Sequence, residues 1–172
     1  MLNRKAWLAT LALSLPLAMP TIANSAELNI EFVDADSYTD IQPGNEHRQR
    51  YQDRILENFE EFFTELAGRL PDDQVLNIKV TDVDLAGNVL PVSRDGGMHM
   101  MRIVRHGQDP SIRFEYSLVD ANDQVLQEGE ERLRGRTSAD SIRQTPSAAS
   151  NALRNERDML ERWFRDTFDA SN

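Results

Sequence analysis

The segment VLNIKVTDVDL, residues 75–85, is the most informative about the fold, because the alternation of its apolar side chains shifts by one residue part-way along. Three apolar residues hold alternate positions, and two more continue the alternation one residue out of register: Leu76, Ile78 and Val80, then Val83 and Leu85. A side-chain period of two cannot shift by one residue without a bulge or a change of face. The sequence therefore predicts a half-buried β-strand with a bulge near Thr81 and Asp82.

Segments on both sides of this strand alternate in the same way. Residues 27–33 (ELNIEFV) precede it and residues 112–118 (IRFEYSL) follow it, and both predict strands with one buried face. Residues 125–133 read as the returning arm of a hairpin. The glutamates and the central Gly129 of this arm are typical of an edge strand.

The segment between residues 86 and 105 is less regular. Gly87, Pro91 and the run Asp95-Gly96-Gly97 predict a mobile loop over residues 86–97. Residues 98–105 predict a further strand, although their polarity does not alternate cleanly. Residues 134–147 are predicted to be irregular.

Two segments have helical periodicity. Residues 47–70 carry a wide apolar stripe, and Gly68 and Pro71 predict its end. Residues 148–168 carry a second stripe, with charged side chains on the opposite side. The predicted apolar face of this second helix consists of Ala152, Leu153, Leu160, Trp163, Phe164 and Phe168.

These elements predict an α+β fold in the order β-α-β-β-β-α. We expect a four- to five-stranded, mostly antiparallel sheet with both amphipathic helices packed on its one apolar face. The first β-α-β unit predicts a right-handed crossover between parallel strands. The last three strands predict an antiparallel meander.

The N-terminal residues have the order of a cleavable secretory signal. Basic Arg4 and Lys5 come first, an uncharged apolar run follows over residues 7–19, and small residues occupy the stretch TIANSA. The apolar run is shorter than the roughly 20 residues that a membrane-spanning helix needs. We therefore expect residues 1–26 to be a signal peptide and residues 27–172 to be a single domain, periplasmic or secreted.

The composition narrows the classes of partner. The chain has 29 acidic and 19 basic residues and a formal net charge of −10. This surplus argues against nucleic acid or anionic lipid as partner, because both require clustered Lys and Arg, and it equally serves solubility. The chain has no cysteine, so its stability must come from a packed core rather than from disulfides.

Four segments resemble a known family. They are Tyr38-Thr39-Asp40, Leu70-Pro71, the run TDVDLAG at residues 81–87 and the run NERDMLERWF at residues 155–164. Together they resemble the domain-of-unknown-function family 3016 of exported bacterial proteins, over nearly the whole of the chain after the signal. Residues 134–143 depart from the family pattern. The resemblance implies export and a shared fold, and it implies no activity, because the family has no assigned function.

Four aspartates are the candidate metal ligands. Asp34 and Asp36 follow the first strand, and Asp82 and Asp84 end the second. If these strands are parallel neighbours, both pairs lie at the edge where ligands of α/β crossovers bind. Carboxylates suit Ca²⁺ or Mg²⁺. The competing interpretation is that these aspartates cap turns and accept backbone N–H bonds.

Methionines and a histidine cluster in residues 98–101. Thioether and imidazole groups suit Cu(I), but strand alternation places Met98 and Met100 opposite to His99 and Met101. Core filling is the commoner role of methionine and the one we expect here.

No catalytic residue and no cofactor are predicted. His47, His99 and His106 stand in no recognised catalytic motif, and no cysteine can act as a nucleophile. The sequence therefore favours a non-enzymatic exported domain that binds a partner protein or a small ligand in the periplasm, without inserting in a membrane after signal cleavage. The alternatives are a divalent-cation-binding module that uses the aspartates and, third, an uncharacterised hydrolase.

Overall fold

A computed structural model describes residues 26–137, 143–144 and 153–169 of the chain. Residues 1–25 of the predicted signal peptide and the first residues of the predicted last helix lie outside this part. The strands are β1 (Glu27–Phe32), β2 (Val75–Asp84), β3 (Asn88–Arg94), β4 (Gly97–Val104), β5 (Ser111–Val119), β6 (Val125–Arg134) and β7 (Arg143–Gln144). The helices are α1 (Arg48–Ala67) and α2 (Arg154–Phe168), and a short 3₁₀ turn spans Ala35–Ser37.

The strands form two sheets. A four-stranded sheet has the order β1-β2-β5-β6, and a smaller sheet has the order β3-β4-β7. Strands β1 and β2 are parallel, whereas β2, β5 and β6 pair antiparallel. The predicted α+β class, the parallel first pair and the edge position of β6 are confirmed.

The predicted bulge in β2 is confirmed. Val80 pairs with Phe114 and Asp82 pairs with Arg113, so the register shifts by one residue between Val80 and Asp82. The shift returns Val83 to the buried face after Leu76, Ile78 and Val80. It also sets the direction of Asp82 and Asp84 at the end of the strand.

Two predictions for residues 86–105 are wrong. Residues 88–94 form strand β3 rather than a loop, and they pair with β4 in a hairpin that turns at Asp95-Gly96. Strand β4 does not join the predicted meander, since it lies in the smaller sheet between β3 and β7. The hairpin is an insertion between β2 and β5, which pair directly with each other.

Both helices pack on one face of the four-stranded sheet, as predicted. The Phe63 ring of α1 meets the Phe114 ring of β5 at 5.6 Å and the Trp163 ring of α2 at 6.2 Å, both edge to face. Trp163 also lies 4.8 Å from Phe114 and 5.4 Å from Tyr116. This aromatic cluster fixes both helices against β5. The side chains on the opposite face, such as Asn77, stay polar.

Candidate functional site

The four predicted aspartates lie at one end of the sheet. Because β1 and β2 are parallel and Phe32 pairs with Val80, Asp34 and Asp36 leave β1 at the edge where Asp82 and Asp84 end β2. The predicted common edge is therefore confirmed. The part of the chain that the structure describes contains no group of three or more His, Asp or Glu side chains suited to holding a metal ion. A shared cation among the four aspartates stays a prediction.

Asp82 bonds to the segment that follows β1. One carboxylate oxygen accepts the backbone N–H of Thr39 at 2.8 Å, and the other accepts the Thr39 hydroxyl at 2.9 Å. The Arg113 guanidinium lies 4.0 Å away on β5. These are the contacts of a turn-capping carboxylate, which was the competing interpretation of the sequence.

Asp40 continues the parallel pairing beyond β1. Its backbone forms an isolated bridge with Asp84, with its N–H donating to Val83 O at 3.1 Å and its carbonyl accepting from Leu85 N–H at 3.2 Å. The Asp84 side chain is therefore crowded by acidic neighbours. Burial, and then the charges of Asp40 and Asp82, raise the pKa of the Asp84 carboxyl, although Arg102 opposes the shift.

Arg102 of β4 joins the hairpin to this end of the sheet. Its two terminal nitrogens donate to the two carboxylate oxygens of Asp40 at 2.9 and 3.0 Å. The same nitrogens donate to the carbonyls of Gly87 at 3.1 Å and Gln42 at 3.0 Å. The Arg102 side chain is 12% exposed and that of Asp40 is 19% exposed. Burial tends to lower the pKa of Arg102, but the interactions with Asp40 and Tyr51 together outweigh it and raise that pKa.

Glu156 of α2 is buried beside the same turn. It is 1% exposed, and its Oε1 accepts the backbone N–H of Ala86 at 2.8 Å. Its Oε2 has no hydrogen-bond partner among the described residues. Burial raises the pKa of the Glu156 carboxyl, against the opposing effects of the Ala86 N–H and of Arg102. A buried carboxyl in this position ties α2 to the end of β2.

Sequence reasoning missed Asp40, Arg102 and Glu156 as members of this cluster. Glu156 lies three residues after Leu153 and four before Leu160, so it occupies a position of the apolar stripe of α2. That position predicts that the Glu156 side chain is buried. Arg102 and Asp40 are 62 residues apart in the chain, and no local pattern links them.

We call this cluster, made of Thr39, Asp40, Asp82, Arg102 and Glu156 with the turn 84–87, the joint. It brings together three of the segments that resemble the family: 38–40, 81–87 and 155–164. The Tyr38 hydroxyl also reaches it, donating to Val80 O at 3.0 Å. Most of its polar groups bond to backbone, which makes it a structural centre that fixes the hairpin, the sheet and α2 relative to one another.

Two glycines let the hairpin approach the joint closely. Gly87 has φ +80°, and a Cβ there would collide with the Ile103 carbonyl. A Cβ at Gly44 would collide with the Met100 carbonyl. Next to it, Asn45 accepts the Met100 N–H at 3.0 Å, and its amide nitrogen lies 3.2 Å from His99 Nδ1. The base of the hairpin and one edge of β4 are therefore firmly held.

The free face of the hairpin carries exposed methionines. Met98 is 68% exposed and Met100 is 41% exposed. They pair with Ser93 and Pro91 across the hairpin, so the two thioethers share one face, as strand alternation predicted. The prediction that these methionines fill the core is wrong, because the hairpin stands outside the main core. Val125 and Leu126 are the other large apolar side chains that are exposed in the described part of the chain.

The polar face of the four-stranded sheet carries an open groove of about 990 Å³. Its central side chains bond across the strands. Asn29 donates to Asn77 at 3.2 Å, Asn77 donates to the Ser117 hydroxyl at 3.3 Å, and Lys79 lies 3.9 Å from Glu115. The groove therefore offers few unsatisfied groups at its centre, and we do not assign it a ligand.

The described helices include none that is both long and apolar enough to cross a bilayer. The comparison with curated proteins finds no match for the chain. A family model described as a protein of unknown function, DUF3016, matches residues 26–166. This match covers β1 to β7, α1 and α2 as far as Asp166, and it confirms the resemblance drawn from the sequence. The chain therefore belongs to the DUF3016 family of proteins of unknown function.

Proposed function

We propose that the chain is an exported, non-enzymatic domain that binds a partner protein in the periplasm, and that the β3–β4 hairpin is the element that docks. The order of basic, apolar and small residues over positions 1–26 supports export. The engagement of Asp40, Asp82 and Glu156 in bonds to backbone and to Arg102 supports a structural rather than a catalytic use of the acidic cluster.

The observation that carries the proposal is the contrast between the backbone of the hairpin and its exposed side chains. Arg102 and the close contact of Gly87 hold the base, and Gly44 contacts the Met100 backbone, whereas the side chains of Met98 and Met100 are exposed. A rigid support keeps the entropic cost of binding low. Methionine side chains are flexible and polarizable, and they are common at protein-binding surfaces. The partner that fits is a protein with an apolar groove.

The test is affinity capture of tagged chain from the cell envelope, with two matched variants. Met98→Ser with Met100→Ser removes the thioethers of the hairpin. Val125→Ser with Leu126→Ser removes the other exposed apolar pair. The expected result is a partner that the wild-type chain and the Val125/Leu126 variant both retain and that the Met98/Met100 variant loses. Equal retention by both variants would exclude the hairpin as the docking element.

A further inference from the structure

Strand β6 has an open edge. It runs over ten residues, Val125–Arg134, at the end of the four-stranded sheet, and within the described part of the chain it pairs with β5 alone. The outer backbone N–H and C=O groups of such an edge can pair with another strand. A long unprotected edge favours association between copies of a chain unless its side chains prevent it.

The order of charges along β6 is complementary to that of a second, antiparallel copy of the same strand. Alternate side chains of β6 are exposed on the face of the sheet opposite to the helices, which we call the outward face. In chain order, two of them are acidic and the next two are basic: Glu128, Glu130, Arg132 and Arg134. If a second β6 lies antiparallel with Glu131 opposite its own copy, Glu128 faces Arg134 and Glu130 faces Arg132. With their symmetry mates these are four opposite-charge pairs, and they offset the single like-charge contact of Glu131 with its copy at the axis. The two-fold axis repeats both pairs. Opposite charges directly across a strand pair stabilise the pairing.

The residues of β5 that lie directly opposite the charged residues of β6 do not carry the opposite charge. On the neighbouring strand, Glu130 pairs with Glu115 and Arg132 pairs with Arg113, and like charges placed opposite each other are destabilising. The β5 charges are instead matched by β2, since Glu115 lies 3.9 Å from Lys79 and Arg113 lies 4.0 Å from Asp82.

No ion pair within the described residues includes any of the four outward charges of β6. Glu128, Glu130 and Arg132 therefore have no opposite charge directly across on β5 and no ion-pair partner among the described residues, whereas the charge of Arg134 also acts on Asp84 and Asp109. A second β6 would supply each of the four outward charges with an opposite charge.

We propose that two copies of this chain associate through β6, edge to edge and antiparallel about Glu131, so that their four-stranded sheets form one continuous sheet. The two-fold axis is perpendicular to the sheet, so both helical layers lie on the same side. The Glu128–Arg134 and Glu130–Arg132 pairs and their symmetry mates fix the register. This proposal does not depend on the docking role of the hairpin, because no residue of β3 or β4 contributes to the interface.

The test is sedimentation equilibrium of the isolated chain at concentrations up to roughly 1 mM, the weak end of measurable affinities. The wild-type chain is expected to be a dimer that weakens at high salt, because salt screens exposed ion pairs. Glu128→Arg with Glu130→Arg makes the outward face wholly basic, and Arg132→Glu with Arg134→Glu makes it wholly acidic. Each variant is expected to be monomeric, and an equal mixture of the two is expected to form heterodimers.

A control reverses two charges elsewhere. Glu57→Arg with Glu61→Arg changes the same number of exposed glutamates on α1 and should leave the dimer intact. A wild-type chain that stays monomeric throughout the range would overturn the proposal, as would a dimer that survives either β6 reversal. Two folded variants that do not associate when mixed would also overturn it. If a reversed variant does not fold, the oligomeric state of the wild-type chain and its response to salt decide the question.

Discussion

Glu156 is the residue whose chemistry is least expected from its surroundings. A carboxyl that is 1% exposed, with one oxygen on the Ala86 N–H and the other unpartnered among the described residues, is costly to ionise. Its pKa is raised by burial above the ordinary value of 4.5. The folded chain therefore keeps its proton at pH values where the unfolded chain has lost it. By linkage, this residue makes the folded state less stable as pH rises above about 4.5 and through the raised folded pKa.

Glu156→Gln should therefore stabilise the chain at neutral pH. The amide oxygen can still accept the Ala86 N–H, while the cost of burying a charge is removed. The gain should shrink as pH falls towards 4, where the glutamate is protonated in both states. Urea unfolding of both chains between pH 4 and 8 measures the difference. A gain that does not change with pH would show that ionisation of Glu156 is not the cause.

Asp82 tests the structural interpretation of the aspartates. Asp82→Ala removes the acceptor of both Thr39 bonds and should lower the free energy of unfolding by about 1.5–3 kcal/mol, the usual range for hydrogen bonds to charged groups. Thermal and urea unfolding with and without Ca²⁺ measure it, and the loss should be the same in both conditions. Asp36→Ala is the matched control at an exposed aspartate, with an expected change within about 0.5 kcal/mol. A melting temperature that Ca²⁺ raises in the wild-type chain and not in Asp82→Ala would favour the cation site instead.

At the scale of elements, local periodicity was a good guide wherever a strand or helix has one buried face. The apolar alternation shifts by one residue between Val80 and Val83, and this shift predicts the position of the bulge correctly. It does so because the burial of alternate side chains determines the strand register. The same reasoning failed for β3. Pro91 predicts a loop, yet β3 is the edge strand of the smaller sheet, where a residue without an N–H is tolerated. Its side chains are at most half-buried, so no alternating pattern marked it.

The sequence predicts only part of the joint, because some of its contacts join residues that are far apart in the chain. The parallel pairing of β1 and β2 followed from the sequence order, and it placed the four aspartates at one edge. The ion pair between Asp40 and Arg102 depends on an inserted hairpin folding back on the sheet, and it leaves no trace in neighbouring residues. Long-range partners of this kind become visible only when the chain is folded.

The stability of the β3–β4 hairpin should depend on the ion pair between Asp40 and Arg102. Arg102→Met leaves the Asp40 carboxylate half-buried without its partner, and we expect a loss of about 3–5 kcal/mol in the free energy of unfolding. Arg102→Met combined with Asp40→Asn should lose less than Arg102→Met alone, because the uncompensated charge is removed. Arg94→Met, at the exposed tip of the same hairpin, serves as the control and should change stability by less than about 0.5 kcal/mol. Hydrogen exchange should be faster at the β3 and β4 amides of Arg102→Met, and unchanged protection there would contradict a joint that holds the hairpin.

At the scale of the whole molecule, the described elements form one architecture. The aromatic cluster around Trp163 links both helices to β5, and the joint links α2 to the end of β2 and to the inserted hairpin. The proposed release of this domain into the periplasm requires that it is cleaved from its N-terminal residues.

Processing of the N-terminus is therefore the prediction on which the proposed location depends. The chain isolated from the cell envelope should lack its first 23–26 residues, with cleavage after Ala23, Ser25 or Ala26, where small residues occupy the site. Intact-mass spectrometry distinguishes these ends. Replacing two leucines of the apolar run, Leu11→Arg with Leu13→Arg, should block export and leave the full-length chain in the cytoplasm, since a charged h-region no longer serves as a signal. A full-length chain in the envelope would exclude cleavage of the signal, and export that survives the arginine pair would exclude residues 1–26 as the export signal.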